Sequence, residues 1–171
     1  MLDRHHLSFL SSRRRVLGWT AAGLTAWMAG PSWAQKKAAG GTPDARPQVE
    51  VWKDVNCGCC NDWIEHMEEH GFSVKAHDTG NNWVRARLGL DRKYGSCHTA
   101  LVDGYVIEGH VAASEVKRLL SERPEALGLA VPGMPIGSPG MDGPVYGGQR
   151  DRYDTLLVDR KGGAKVFERH N

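Results

Sequence analysis

The chain is short of cysteine, has almost no net charge outside its first residues, and carries no long apolar run beyond residue 34. Each shortage excludes something. Four cysteines in 171 residues are too few for a disulfide-stapled scaffold. Residues 1–34 hold Arg4, Arg13, Arg14 and Arg15 against Asp3, a net +3, so the formal +2 leaves 2 − 3 = −1 for the remainder. A near-neutral body makes no electrostatic case for nucleic acid or anionic lipid. No internal repeat is visible, which removes solenoid and array architectures. With 40% hydrophobic and 25% charged residues, the chain is neither a multi-domain enzyme nor a charge-rich disordered segment. It has the size and composition of one ordinary globular domain.

What is present begins with an address. Ser12-Arg13-Arg14-Arg15-Val16-Leu17 is a basic block followed by an apolar stretch to Ala29, shorter than the ~20 residues that span a bilayer. Small Ser32 and Ala34 stand where an export peptidase would cut. Arginines beside a mild Gly/Ala/Thr-containing segment resemble a twin-arginine export signal. A general secretory signal and an uncleaved anchor are the alternatives. Residues 1–34 are thus expected to be an export signal, residues 35–47 a flexible Pro/Gly-punctuated linker, and residues 48–171 the domain.

Within the domain, Val49-Glu50-Val51-Trp52 alternates as a strand. A helix follows the cysteine cluster, with Trp63, Ile64, Met67 and His70 on one face and Asp62, Glu65, Glu68 and Glu69 on the other. Gly71 ends it, and Phe72 to Ala76 alternates as a second strand. A short helix is expected around Trp83 to Leu88. Thr99 to Gly109 reads as a hairpin turning at Asp103-Gly104, Ala112 to Glu122 as a helix stopped by Pro124, and Asp154 to Phe167 as a last hairpin. Residues 128–148 read as a Gly/Pro-rich loop. A strand delivering cysteines to a helix N-terminus, followed by a hairpin and a helix, predicts an α/β, thioredoxin-like domain: a small mixed sheet with flanking helices.

Cys57-Gly58-Cys59-Cys60 is the chemical centre of the sequence. Thiols at a helix N-terminus face free N–H groups and the positive end of the helix dipole, which favour thiolate. Thiolate is both a redox nucleophile and a soft-metal ligand. A dithiol oxidoreductase needs only Cys57 and Cys60, and a third thiol beside a disulfide invites scrambling. Three thiolates in one turn suit Cu(I), which takes two or three sulfur ligands and clusters through bridging thiolates. A disulfide with a spare thiol, and a zinc site, are the competing readings; closed zinc sites usually space their ligands as separated pairs.

Further donors lie downstream. Cys97, in Ser96-Cys97-His98-Thr99, could close the site from the turn entering the hairpin, or be a small buried apolar residue. His98 could ligate or hold a ligand in place. Met134 and Met141 sit in Gly133-Met134-Pro135-Ile136-Gly137-Ser138-Pro139-Gly140-Met141, off any helical or strand pattern. Thioethers bind Cu(I) without deprotonation, so these two either reach the metal or pack the loop over the cysteines. His110 could lie near the site or be a surface or capping residue, and His66 with His70 stand at i, i+4.

Together, Cys57-Gly58-Cys59-Cys60-x-x-Trp63, Ser96-Cys97-His98-Thr99, Gly109-His110-Val111 and the run from Gly128 to Met141 resemble the CopG family of copper-resistance proteins. These are exported, thioredoxin-like proteins, distinct from the DNA-binding repressors of the same name. The resemblance spans about Val49 to Gln149. It implies a periplasmic protein of copper and silver resistance that binds Cu(I) as a multi-copper cluster, with a role proposed in copper redox exchange. It implies Cys57, Cys59, Cys60 and Cys97 as copper ligands, while His98, Met134 and Met141 match motif positions. Expected partners are copper ions and other periplasmic copper-handling proteins, with no nucleic acid and no membrane span in the mature chain. The alternative is a periplasmic thiol–disulfide or copper oxidoreductase using Cys57 and Cys60.

Overall fold

The structure is a computed structural model that describes residues 46–171. The expected signal (1–34) and most of the linker (35–47) lie outside the described residues. A mixed α/β architecture is observed. β1 (Gln48–Lys53) leads into α1 (Gly58–Glu69) and returns through β2 (Ser73–His77), which pairs parallel to β1. α2 (Asn82–Arg87) precedes the hairpin of β3 (His98–Val102) and β4 (Tyr105–Glu108). Asp103 (φ 46°) and Gly104 (φ 84°) form its two-residue turn in the left-handed region, the conformation that matches the twist of the flanking strands. α3 (Ala113–Glu122), β5 (Gly128–Ala130), β6 (Tyr153–Val158) and β7 (Ala164–His170) complete the order.

Among the described residues, seven strands join in one sheet, ordered β2-β1-β3-β4-β5-β6-β7. β5 runs parallel to β4 and antiparallel to β6, so the sheet does not end at the hairpin. The segment 128–148, expected to be a loop, therefore contributes a strand. Its three residues, Gly-Leu-Ala, are too short to show alternation.

Alternate side chains of a strand point to opposite faces, and both faces are covered. Ile107 joins Trp63, Met67, Phe72, Val116 and Leu119 in the larger core beneath α1 and α3. Val106 joins Leu90, Tyr94, Leu127 and Val158 in a smaller core on the other side. β4 is consequently buried at every position, Glu108 included. Among the described residues, no helix is long and apolar enough to cross a membrane.

Candidate metal centre

The site is assembled by strand pairing. β1 and β3 are antiparallel, with Lys53 opposite His98, so the end of β1 and the beginning of β3 lie side by side. β1 runs on into the Cys57 turn, and Cys97 immediately precedes β3. Cys57 occupies the position capping α1, accepting from the Asn61 N–H at 3.3 Å, and Cys59 and Cys60 fall in the first helical turn. The four sulfurs of Cys57, Cys59, Cys60 and Cys97 lie within 4.8 Å of one another. Cys59 Sγ is 3.7 Å from Cys57 Sγ and 4.0 Å from Cys97 Sγ, while Cys60 Sγ lies 3.8 Å from the Cys97 carbonyl oxygen. Cys57 and Cys60 are joined in a disulfide, leaving Cys59 and Cys97 as free thiols, both partly exposed. The competing expectation of a disulfide with a spare thiol describes the three-cysteine turn in this structure, with Cys59 the spare thiol and Cys97 a second free thiol beside it.

A second donor group overlaps the first. Cys97 Sγ is 3.4 Å from His98 Nδ1 and 3.1 Å from His110 Nε2, and these three residues could share an ion. His110 Nδ1 lies 2.8 Å from the Pro139 carbonyl oxygen, so it is the nitrogen that carries the proton, and Nε2 turns a lone pair toward the sulfur. His98 is fully buried, its ring 4.3 Å from that of Trp63. Its Nε2 is enclosed without a hydrogen-bond partner among the described residues. Burial, then the neighbouring His110, pushes His98 well below the usual imidazole range; burial also lowers His110. Cys97 moves the other way, up to about 12, because burial penalises its thiolate and it faces Cys59.

A buried network fixes the Ser96–Cys97 turn. Glu108 accepts from Arg85 Nε at 2.8 Å, from the Ser96 N–H at 2.7 Å and from the Thr99 hydroxyl at 2.6 Å. Arg85 and Asn81 both donate to the Ser96 carbonyl. Burial pushes the Glu108 carboxyl up, against the downward pull of those donors. From the opposite side, the Ser96 hydroxyl donates to the Gly133 carbonyl, fastening the later loop to the same turn.

A family described as "Protein of unknown function, DUF411" matches residues 94–141. No curated protein matches the chain. A solved structure titled "Copper resistance protein copG- Form 2" is 42% identical over 74% of this chain and 99% of its own, with a TM-score of 0.68. "Copper resistance protein copG- Form 1" is 44% identical over 72% of this chain and 96% of its own, with a TM-score of 0.67. This chain belongs to the CopG family of copper-resistance proteins.

In this chain the methionine loop behaves unevenly. Met141 is buried and its sulfur accepts from the Tyr146 hydroxyl at 3.2 Å, whereas Met134 is 52% exposed. The loop meets the site through Pro139, whose carbonyl accepts from His110, and through Gly140, which lies against the α1 backbone. A Cβ on Gly140 would stand 2.6 Å from the Cys59 carbonyl oxygen and 2.8 Å from the Trp63 nitrogen, and its φ of 82° is itself left-handed, so no other residue fits. His110 is more central to the site than its sequence context suggests. Its one sequence signal is its place between Gly109 and Val111, shortly after the apolar strand Tyr105-Val106-Ile107. The His66–His70 pair has a different use: His66 Nε2 accepts from the Ala113 N–H at 3.1 Å, capping α3, and His70 Nδ1 donates to the His66 carbonyl.

Proposed function

We propose that this chain is an exported, periplasmic Cu(I)-binding protein of copper and silver resistance. In this reading the thiolates of Cys57, Cys59, Cys60 and Cys97 hold the metal as a multi-copper cluster, and His98, Met134 and Met141 act as outer ligands or cover. The observation that carries it is the meeting of four sulfurs within 4.8 Å, one of them 38 positions away from Cys59. Soft, polarisable sulfur at that density selects Cu(I) over harder ions. The thioredoxin-like assignment draws support from the order β2-β1-β3-β4, with α1 linking the parallel pair and α3 following the hairpin. β5, β6 and β7 then extend that unit at one edge. Export is supported by the basic and apolar pattern of residues 1–34, and copper as cargo by the names of the two solved relatives.

The geometry also defines the chemistry of loading. Opening the Cys57–Cys60 disulfide takes two electrons, so the form that offers all four sulfurs is the reduced one. Burial keeps Cys97 protonated at neutral pH, and copper must displace that proton; the His110 Nε2 lone pair, 3.1 Å away, is placed to receive it. Apparent affinity therefore rises with pH, by about tenfold per unit for each proton released. Anaerobic Cu(I) titration of the reduced protein, with metal analysis, tests the reading. Cys57→Ser combined with Cys60→Ser should lose most of the bound copper, and unchanged binding would refute it.

The disulfide itself favours a second reading, a thiol–disulfide oxidoreductase. Cys57 is partly exposed at the helix terminus and would attack, while buried Cys60 would resolve. Insulin reduction by metal-free protein separates the two: rapid turnover without copper supports the oxidoreductase.

A further inference from the structure

The Cys57–Cys60 disulfide accounts for two of the four sulfurs and leaves a thiol on either side of a short gap. Cys59 Sγ stands 3.7 Å from Cys57 Sγ, and Cys97 Sγ stands 4.0 Å from Cys59 Sγ. The three atoms form a chain of near-contact distances leading from the disulfide at the helix terminus to the turn before β3. Thiol–disulfide exchange needs an attacking sulfur within reach of a sulfur–sulfur bond; Cys59 stands within that reach of Cys57 now, and Cys97 within that reach of Cys59 once Cys59 has joined the bond.

We propose that Cys59 and Cys97 form a second disulfide pair, to which the Cys57–Cys60 bond migrates by internal exchange. In the first step the Cys59 thiolate bonds to Cys57 Sγ and the Cys57–Cys60 bond breaks. Cys60 leaves with the electron pair and takes up the proton that Cys59 gave up. In the second step Cys97 bonds to Cys59, the Cys57–Cys59 bond breaks, and Cys57 leaves as the thiol. The proton of Cys97 passes to Cys57, with the His110 Nε2 lone pair 3.1 Å from its starting point. The net change is an isomerisation: one disulfide and two thiols before, one disulfide and two thiols after. No electron enters or leaves, and no outside oxidant is involved.

The two isomers present different surfaces. One offers Cys59 and Cys97; the other offers the Cys57/Cys60 dithiol at the start of α1 and stores the oxidation against β3. This goes beyond the copper reading and does not depend on it, because exchange takes place in metal-free protein. It also assigns Cys59 and Cys97 a role that an oxidoreductase using Cys57 and Cys60 alone leaves empty.

The test uses the metal-free full chain, oxidised to one disulfide per molecule and freed of glutathione before it is left to equilibrate. Samples are quenched in acid, labelled with N-ethylmaleimide under denaturing conditions, and mapped by non-reducing peptide mass spectrometry. The expected result is a Cys59–Cys97 cross-linked peptide, with labels appearing on Cys57 and Cys60 in the same fraction of molecules. In Cys57→Ser the competing bond cannot form, so the protein should take up one label, on Cys60, instead of three. Serine is itself favoured at a helix-capping position, and Cys57→Ala serves as a second variant should serine disturb the turn. Three labels on both variants, a Cys59–Cys60 or Cys60–Cys97 bond in either, or Cys57–Cys60 as the sole bond in the wild-type chain, overturns the proposal. Copper titration of the reduced protein reports on the other reading separately, since a chain can bind Cu(I) without ever forming this bond, or form it without binding Cu(I).

Discussion

Gly140 must both turn left-handed and let the loop touch the backbone of α1 at Cys59 and Trp63. Those neighbours are main-chain atoms and cannot swing aside. Gly140→Ala should therefore destabilise the protein by at least ~2 kcal/mol, combining strained φ with a contact that forces the loop outward; urea denaturation measures it. Lifting the loop also withdraws the Pro139 carbonyl from His110. A direct probe of that ring is His110→Ala, which removes the group 3.1 Å from Cys97 and the bond that orients it. Loss of such a partner costs roughly 10–100-fold in metal affinity, read by competition against a Cu(I) chelator. The cysteines are legible in the sequence because three share one turn and their spacing is itself the signal. His110 is not, because a lone histidine looks the same whether it caps a helix or faces a sulfur. Nor does sequence separate Met141, buried against Tyr146, from Met134, half in solvent.

At the level of elements, the position of β3 against β1 decides whether Cys97 reaches the cluster, and the buried Arg85–Glu108 pair holds that register from α2. The two groups meet at 2.7 Å, with side chains 8% and 0% exposed. Removing one partner strands a charge in the interior, so Arg85→Met should cost about 3–5 kcal/mol and loosen the Ser96–Cys97 turn. Chemical denaturation gives the first effect, and faster labelling of Cys97 in native protein gives the second. Strands and helices with a clear period of two or 3.6 can be read directly: β1, the β3–β4 hairpin and α3 lie within a residue or two of expectation, whereas α1 begins at Gly58, inside the cysteine cluster rather than after it. β5 cannot, since a three-residue Gly-Leu-Ala strand acquires its identity only by pairing with β4 and β6. Arg85 and Glu108 likewise look like surface charges until the fold closes over them.

The whole molecule carries a pH dependence set by its buried rings. His66, His98 and His110 are all held below the ordinary imidazole value of 6.5, with burial the main cause in each. A base whose folded pKa is depressed binds protons more readily when unfolded, so stability is complete above about 6.5 and declines as the pH falls below it. Each histidine contributes a slope of up to roughly 1.4 kcal/mol per pH unit. Glu108, with its pKa raised, acts in the opposite sense at lower pH, one carboxyl against three rings. Urea unfolding of metal-free protein at pH 7.0, 6.0 and 5.0 should show midpoints descending; a flat or rising series would show that the three rings do not dominate the pH dependence. Finally, the loop packed on α1 beside the cysteines ends at Met141, and the network that sets Cys97 reaches back to Asn81. A chain still emerging from its ribosome owns three neighbouring thiols long before it owns the finished nest. The four sulfurs come together only when β3 has paired with β1 and the loop before Met141 has closed on the backbone of α1.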